Sequence, residues 1–497
     1  MGNGRGSHPV GHTPLRSWLC LVLLVTALVT ITGVQPARAA AANPPGGDSG
    51  GLYDQFIVKY RSGSRQRSDG AALQAVLDGK AANFSRKGRK VGLLRQRRMA
   101  IGADVIRSSV KLDRISAESL MREIADDADV EYVEPDYLMQ IDLSPNDPRY
   151  HQQWGFFESA GINIERAWDV TTGAGTVVAV IDTGITSHPD LDPNVLQGYD
   201  FISSADTARD GDGRDGNPRD EGDLTVGGTS SSWHGTHVAG TVAAVANNGL
   251  WGAGAAPNAK VLPIRALGKG GGRTSDIADA IVWAAGGRVA GVPDNSYPAE
   301  VINMSLGGII HVPCSATYAD AISTAMSLGS TVVASAGNSN SEPSAPANCP
   351  GVISVAAIDK GGRRWDETQN GYPGVGSNYG ASVTLAAPGA GIFSTENSGS
   401  TTPGDATFGV KYGTSMAAPH VSGVIALVQA CADRHRSPTE VKRIVAGTAK
   451  PFPVQPDHPI GSGIVDAAAA VGGANDRRIY AGEMLNPAIL HLLLGNH

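Results

Sequence analysis

From about residue 144 onward the hydrophobic positions fall in short, nearly unbroken runs separated by longer segments with helical spacing. Thr176–Ile181, Lys260–Leu267, Glu300–Leu306, Ser330–Ala334, Val352–Ile358 and Val383–Ala387 lack the alternation of a half-wet strand, so each is predicted as a strand buried on both faces. Gly235–Val245, Ser275–Ala285 and Ala316–Leu328 have the length and periodicity of helices. This alternation predicts an α/β fold, a three-layer domain with a mostly parallel central sheet. In such sheets functional groups collect beyond the carboxyl ends of the strands.

Upstream the pattern differs. Trp18–Ile31 is almost wholly apolar, preceded by Arg5 and Arg16 and followed by Ala37-Arg38-Ala39, the plan of a secretory signal cleaved after Ala39. The run is about 14 residues where a membrane span needs about 20, which disfavours an anchor. A Pro/Gly linker (40–51) leads to a small α+β unit (52–141). Its signals are a strand at Gln55–Tyr60, a helix at Ser116–Ala125 and a strand at Val130–Leu138. The basic run from Arg86 to Arg98 reads as a solvated loop, since no aromatic residue beyond Phe84 accompanies it. The 26 residues after Val471 are too few for a domain.

Charge sharpens the division. The chain of 497 residues carries a net −7, which argues against nucleic acid or an anionic membrane as a general partner. Residues 1–42 hold +3, 43–141 hold +2 and 142–497 hold −12, so the negative charge lies in the last two thirds. Three cysteines remain once Cys20 leaves with the signal. In an oxidising compartment Cys314 and Cys349 are the expected disulfide, because Cys431 falls in the apolar helical stretch Val421–Cys431, where a thiol packs as a small hydrophobe.

Three residues stand where chemistry is expected. Asp182 follows TVVAVI, His234 opens a helix in HGTHVAGT, and Ser415 lies in GTSMAAPH at the head of an Ala- and Val-rich helix. A serine at a helix head is by itself an N-cap. With a histidine and an aspartate at such positions it becomes the set required for nucleophilic acyl transfer.

VIDTGI around Asp182, HGTHVAG from His234, VINMSLGG over 301–308, ASAGN ending at Asn338 and GTSMAAPHVSG around Ser415 resemble, in that order, the motifs of the subtilisin-like serine peptidases, or subtilases. The resemblance spans about residues 146–471. It implies that Ser415 is the nucleophile, His234 the general base and acid, and Asp182 its orienting partner. His237 matches a structural position. Asn338 matches the side-chain donor of the oxyanion hole, beside the backbone N–H of Ser415. Gly270, Gly271 and Gly272, with Ser305, Leu306 and Gly307, match the edges that pair with an extended peptide. Ser335, Ala336 and Gly337 match the pocket wall for the side chain before the cut.

The resemblance further implies a secreted, extracellular monomer acting on protein or peptide substrates, with no nucleic-acid partner and no membrane contact after signal removal. Residues 52–141 would be an inhibitory propeptide of ferredoxin-like α+β fold, 142–471 the peptidase domain and 472–497 a C-terminal extension. Maturation is expected between Ile141 and Asn146. Asp147, Asp190 and Asn248, with the backbone oxygens of Val245, Leu250 and Gly252, match a structural calcium site, and oxygen ligands suit that ion. The acidic loop with Asp210, Asp212, Asp215, Asp220 and Asp223 begins like an EF-hand and is expected to hold a second calcium, although Arg214 replaces one ligand. No organic cofactor is implied, and no HExxH occurs. A binding module on an inactive peptidase fold is disfavoured by the intact Asp182, His234, Ser415 and Asn338. An esterase is disfavoured by GTSMA in place of GxSxG.

Overall fold

The computed structural model describes residues 53–86, 90–112, 114–136, 144–224, 229–308 and 311–475. The predicted signal, the linker and the extension beyond 475 lie outside the described residues, as does 137–143 with the first half of the expected maturation stretch. The chain divides into two compact units, Met1–Met139 and Gln140–His497.

The first unit runs β1 (Tyr53–Tyr60), α1 (Gly70–Arg86), β2 (Leu93–Arg98), β3 (Asp104–Leu112), α2 (Arg114–Ala125) and β4 (Val130–Pro135). Its antiparallel sheet has the order β2-β3-β1-β4, the ferredoxin-like arrangement. Phe56, Val58 and Tyr60 alternate inward along β1 and meet Leu73 and Leu77 of α1 and Leu120 and Ile124 of α2. The end of the basic run is a correction to the sequence reading, because Leu93–Arg98 is an edge strand and not a loop. Arg95 and Arg98 both pair with the buried Asp104, at 2.7 and 2.9 Å, and charge along an edge discourages further strand pairing.

In the second unit β5 (Val177–Asp182), β6 (Tyr199–Asp200), β7 (Lys260–Arg265), β8 (Val301–Met304), β9 (Thr331–Ser335), β10 (Ile353–Ile358) and β11 (Leu385–Pro388) form a parallel sheet of order β11-β10-β9-β8-β5-β7-β6. Six of these strands are the predicted ones, with ends within two residues. The longer helices are α3 (His234–Ala243), α4 (Thr274–Ala284), α5 (Ala316–Ser327), α6 (Thr414–Cys431), α7 (Pro438–Gly447) and α8 (Ala467–Gly473). Side chains leave each strand alternately, so Val178 and Val180 enter one core with Val238 of α3 and Val424 of α6. Ala179 and Ile181 enter the other, with Ile277 and Ile281 of α4 and Ile322 of α5. Both faces are covered, as the unbroken apolar runs require.

Chain order reverses around β5, which has β7 on one side and β8 on the other. Its carboxyl end is therefore where a crevice opens. An antiparallel ribbon absent from the sequence reading, β12 (Ile392–Asn397) with β13 (Ala406–Lys411), leads into α6. Cys314 and Cys349 are bonded, with Cα atoms 5.1 Å apart, and Cys431 is free.

Candidate active site

Asp182, the last residue of β5, is fully buried. Its carboxylate accepts from the Thr183 N–H at 2.7 Å and lies 2.8 and 2.9 Å from His234 Nδ1. A carboxylate only accepts, so Nδ1 carries the proton and Nε2 of the neutral ring is left as a base. Burial works against the imidazolium, but the charge and hydrogen bond of Asp182 outweigh it, and the His234 pKa is raised above 6.5. Gly235 lets α3 come this close: a Cβ there would stand 2.1 Å from the Gly184 carbonyl oxygen. His237, one turn on, is buried with Nε2 on the Ile392 carbonyl at 3.0 Å, and burial keeps it neutral.

Ser415 occupies the first turn of α6. Pro419, four residues on, has no N–H to give the Ser415 carbonyl. Ser305 Oγ donates there instead, at 2.8 Å. Ser305 in turn accepts from Asn303 Nδ2 at 3.0 Å, and Asn303 Oδ1 accepts from Ser422 Oγ at 2.8 Å. This chain ties β8 to α6. The sequence reading missed Asn303 and Ser422; a proline inside the predicted helix four residues after a key serine was the available signal. The Ser415 hydroxyl donates to the Ser305 carbonyl at 3.3 Å, and no hydrogen bond joins it to His234 among the described residues. Such bonds are often long in the free state and tighten with substrate.

Asn338 follows β9. Its Oδ1 accepts from both the backbone N–H and the hydroxyl of Thr414, each at 2.9 Å. Two donors fix that atom as the oxygen, leaving Nδ2 as a free donor near the head of α6. Gly413 permits it, with φ at +133° and a hypothetical Cβ 3.0 Å from Nδ2.

The crevice holds a cavity of about 520 Å³ between Gly270–Gly272 and Ser305–Gly307, with His234 in its lining. Gly268 and Gly271 exchange backbone hydrogen bonds, which closes a tight turn in the first wall. Ser335 and Ala336 are buried at the end of β9, and Gly337 takes φ of +106° beside Asn338. None of the three lines the 520 Å³ cavity.

Of the two calcium predictions, the residues fit one. Asp147 and Asp190 are buried and form no ion pair among the described residues. Burial, with the charge of Asp147 adding to it, pushes Asp190 up to about 6. Asp147 accepts from the N–H groups of Asn247, Asn248 and Gly249, and the backbone of Val245, Leu250 and Gly252 knots around Asp190 and Asn248. Two buried carboxylates that lie close together and have backbone N–H donors but no cationic side-chain partner among the described residues suit a hard cation. Asn248 departs from the expectation, donating Nδ2 to Asp190 at 2.6 Å.

The residues of the acidic loop are engaged with several partners. Asp210 pairs with Arg265 at 2.8 Å, Asp215 accepts from the Asn217 N–H, Asp220 accepts from Thr183 Oγ1 at 2.6 Å, and Asp223 accepts twice from Ser232. Asp212 gives its N–H to Asp210, and desolvation together with the charges of Asp215 and Asp210 raises its carboxyl pKa. No three carboxylates or imidazoles converge at metal distance among the described residues.

A doubly covered parallel sheet with an Asp–His pair and a helix-head serine beyond its strand ends is the arrangement of a subtilisin-like peptidase. The subtilase family profile matches residues 173–472, and the chain belongs to that family as a subtilisin-type serine endopeptidase. It is 49% identical over 465 residues to an extracellular protease of Xanthomonas campestris pv. campestris, covering 91% of this chain and 78% of the relative. It is 43% identical over 465 residues to an extracellular basic protease of Dichelobacter nodosus, covering 90% and 74%. A solved protease structure from Pseudoalteromonas arctica superposes with a TM-score of 0.63 at 50% identity, covering 67% of this chain and all of that one.

Proposed function

We propose that this chain is an exported preproenzyme whose Asp182, His234 and Ser415 hydrolyse peptide bonds through an acyl-enzyme. Residues 1–39 serve as the signal, and 52–141 as a propeptide that inhibits the peptidase until it is removed. An extended substrate pairs with Gly270–Gly272 and Ser305–Gly307, and Ser335–Gly337 border the side chain before the cut. His234 Nε2 takes the Ser415 hydroxyl proton as Oγ attacks the carbonyl carbon. The oxyanion is held by Asn338 Nδ2 and the Ser415 N–H, at the positive end of α6. The imidazolium, stabilised by Asp182, gives its proton to the leaving amine, and water then releases the acid by the same route. Asp147, Asp190 and Asn248, with backbone oxygens of Val245, Leu250 and Gly252, hold a calcium ion that stabilises the loop and takes no part in the chemistry.

The observation that carries this reading is the double donation of Thr414 to Asn338 Oδ1, which sets an amide donor beside the serine in advance of any substrate. An organophosphate that labels active serines tests it. Ser415 should be the modified residue, and labelled protein should lose casein hydrolysis. Label on another serine, or casein hydrolysis retained by Ser415→Ala protein, would overturn it.

A further inference from the structure

The residues that lead into His234 are clamped by opposite charges. Ser232 gives its N–H and its hydroxyl to the two oxygens of Asp223, at 2.6 and 2.8 Å. Its carbonyl accepts from Lys411 Nζ at 2.8 Å. Lys411 ends β13, four residues before Ser415, and pairs with Glu396 of β12 at 2.6 Å. The side chains are only 23% and 13% exposed, so water screens this pair weakly. Trp233, between the clamp and His234, is buried, takes φ of +50° and donates Nε1 to the Gly399 carbonyl at 2.6 Å. A displacement of Ser232 would therefore pass to His234.

The charged groups facing the imidazole are Asp182 from β5, Asp223 from the preceding loop, and Lys411 and Glu396 from the ribbon. His237, on the same helix, stays neutral. We propose that Lys411 and Glu396 form a positioning and charge-setting pair for His234: Lys411 braces the Ser232 carbonyl and opposes the protonated ring, and Glu396 limits how strongly it does so. The consequence is chemical. Asp182 orients the ring at the cost of favouring its proton, and Lys411 restrains that effect so that the free base persists at lower pH. In the balance at His234 the Lys411 charge acts downward against Asp182 and Asp223, and at Glu396 the His234 charge is felt in return.

This inference rests on His234 as the base, and the experiment separates the two claims. The measurement is the acid limb of kcat/KM on a peptide nitroanilide, at low and high salt. Lys411→Met should move its midpoint up by about half a pH unit, and Glu396→Gln should move it down by a similar amount. Lys411→Arg, which keeps the charge, should leave it in place. Both shifts should persist in high salt, because the groups are largely buried. If the midpoint stays fixed in both variants while kcat falls, or moves the same way in both, the pair is a brace without an electrostatic role and the proposal is overturned. Should Lys411→Met fail to fold, the direction of the shift in Glu396→Gln still decides the sign. Activity retained by His234→Ala protein would instead remove the base assignment beneath it.

Discussion

Ser305 donates its hydroxyl to the Ser415 carbonyl at 2.8 Å and so takes the place of the N–H that Pro419 lacks. A residue just after β8 thereby holds the head of α6. Ser305→Ala would leave that carbonyl and Asn303 Nδ2 each without a partner in a buried site. The expected loss is about 1–3 kcal/mol of stability, read by denaturant unfolding in a Ser415→Ala background to prevent self-digestion. An unchanged unfolding midpoint would show that the bond contributes nothing.

If Asn338 supplies one oxyanion donor, as proposed, Asn338→Leu removes it and leaves the Ser415 N–H. Because that donor acts on charge present only in the transition state, kcat should fall about 10²- to 10³-fold with KM nearly unchanged. Steady-state kinetics on a peptide nitroanilide checks this. A rise in KM at constant kcat would place Asn338 in ground-state binding.

With the His234 pKa raised above 6.5, activity should be lost as pH falls through a midpoint above 6.5, because the protonated ring cannot accept from Ser415. The optimum should be neutral to alkaline, and a maximum near pH 4 would contradict the assignment. For stability the sign is opposite. The charged His234–Asp182 pair stabilises the fold fully below the unfolded pKa of about 6.5, and that contribution is lost as pH rises through the folded value.

The parallel sheet was legible because a strand buried on both faces leaves an unbroken apolar run, and Asp182 was legible because it ends one. The edge strand Leu93–Arg98 was not, since LLRQRR buries little and its arginines reach Asp104 on the neighbouring strand. The partners of the acidic loop were not legible, because spacing along a chain does not fix which side chains meet. Asp210, Asp220 and Asp223 each turn to a different partner, Arg265, Thr183 and Ser232. Lys411 and Glu396 stay hidden for a related reason: their meeting depends on the register of the β12–β13 ribbon, which no periodicity announced.

Calcium bound by Asp147, Asp190 and Asn248 in the native state alone would add about 2.7 kcal/mol at a hundredfold excess over Kd. EDTA should lower the inactivation temperature without abolishing activity at once, and Asp147→Ala should remove the difference between calcium and EDTA. Identical melting of the wild-type protein in both would refute the site.

The most direct test of the account is the fate of Ser415→Ala protein expressed without other peptidases. The substitution deletes one hydroxyl and should leave folding intact while removing self-cleavage. A mass spectrum should then show an unprocessed species of about 458 residues, Ala40–His497, where the wild type should give a mature form of about 350. Cleavage of the Ser415→Ala protein at the wild-type bond under those conditions would contradict the claim that this triad matures its own chain.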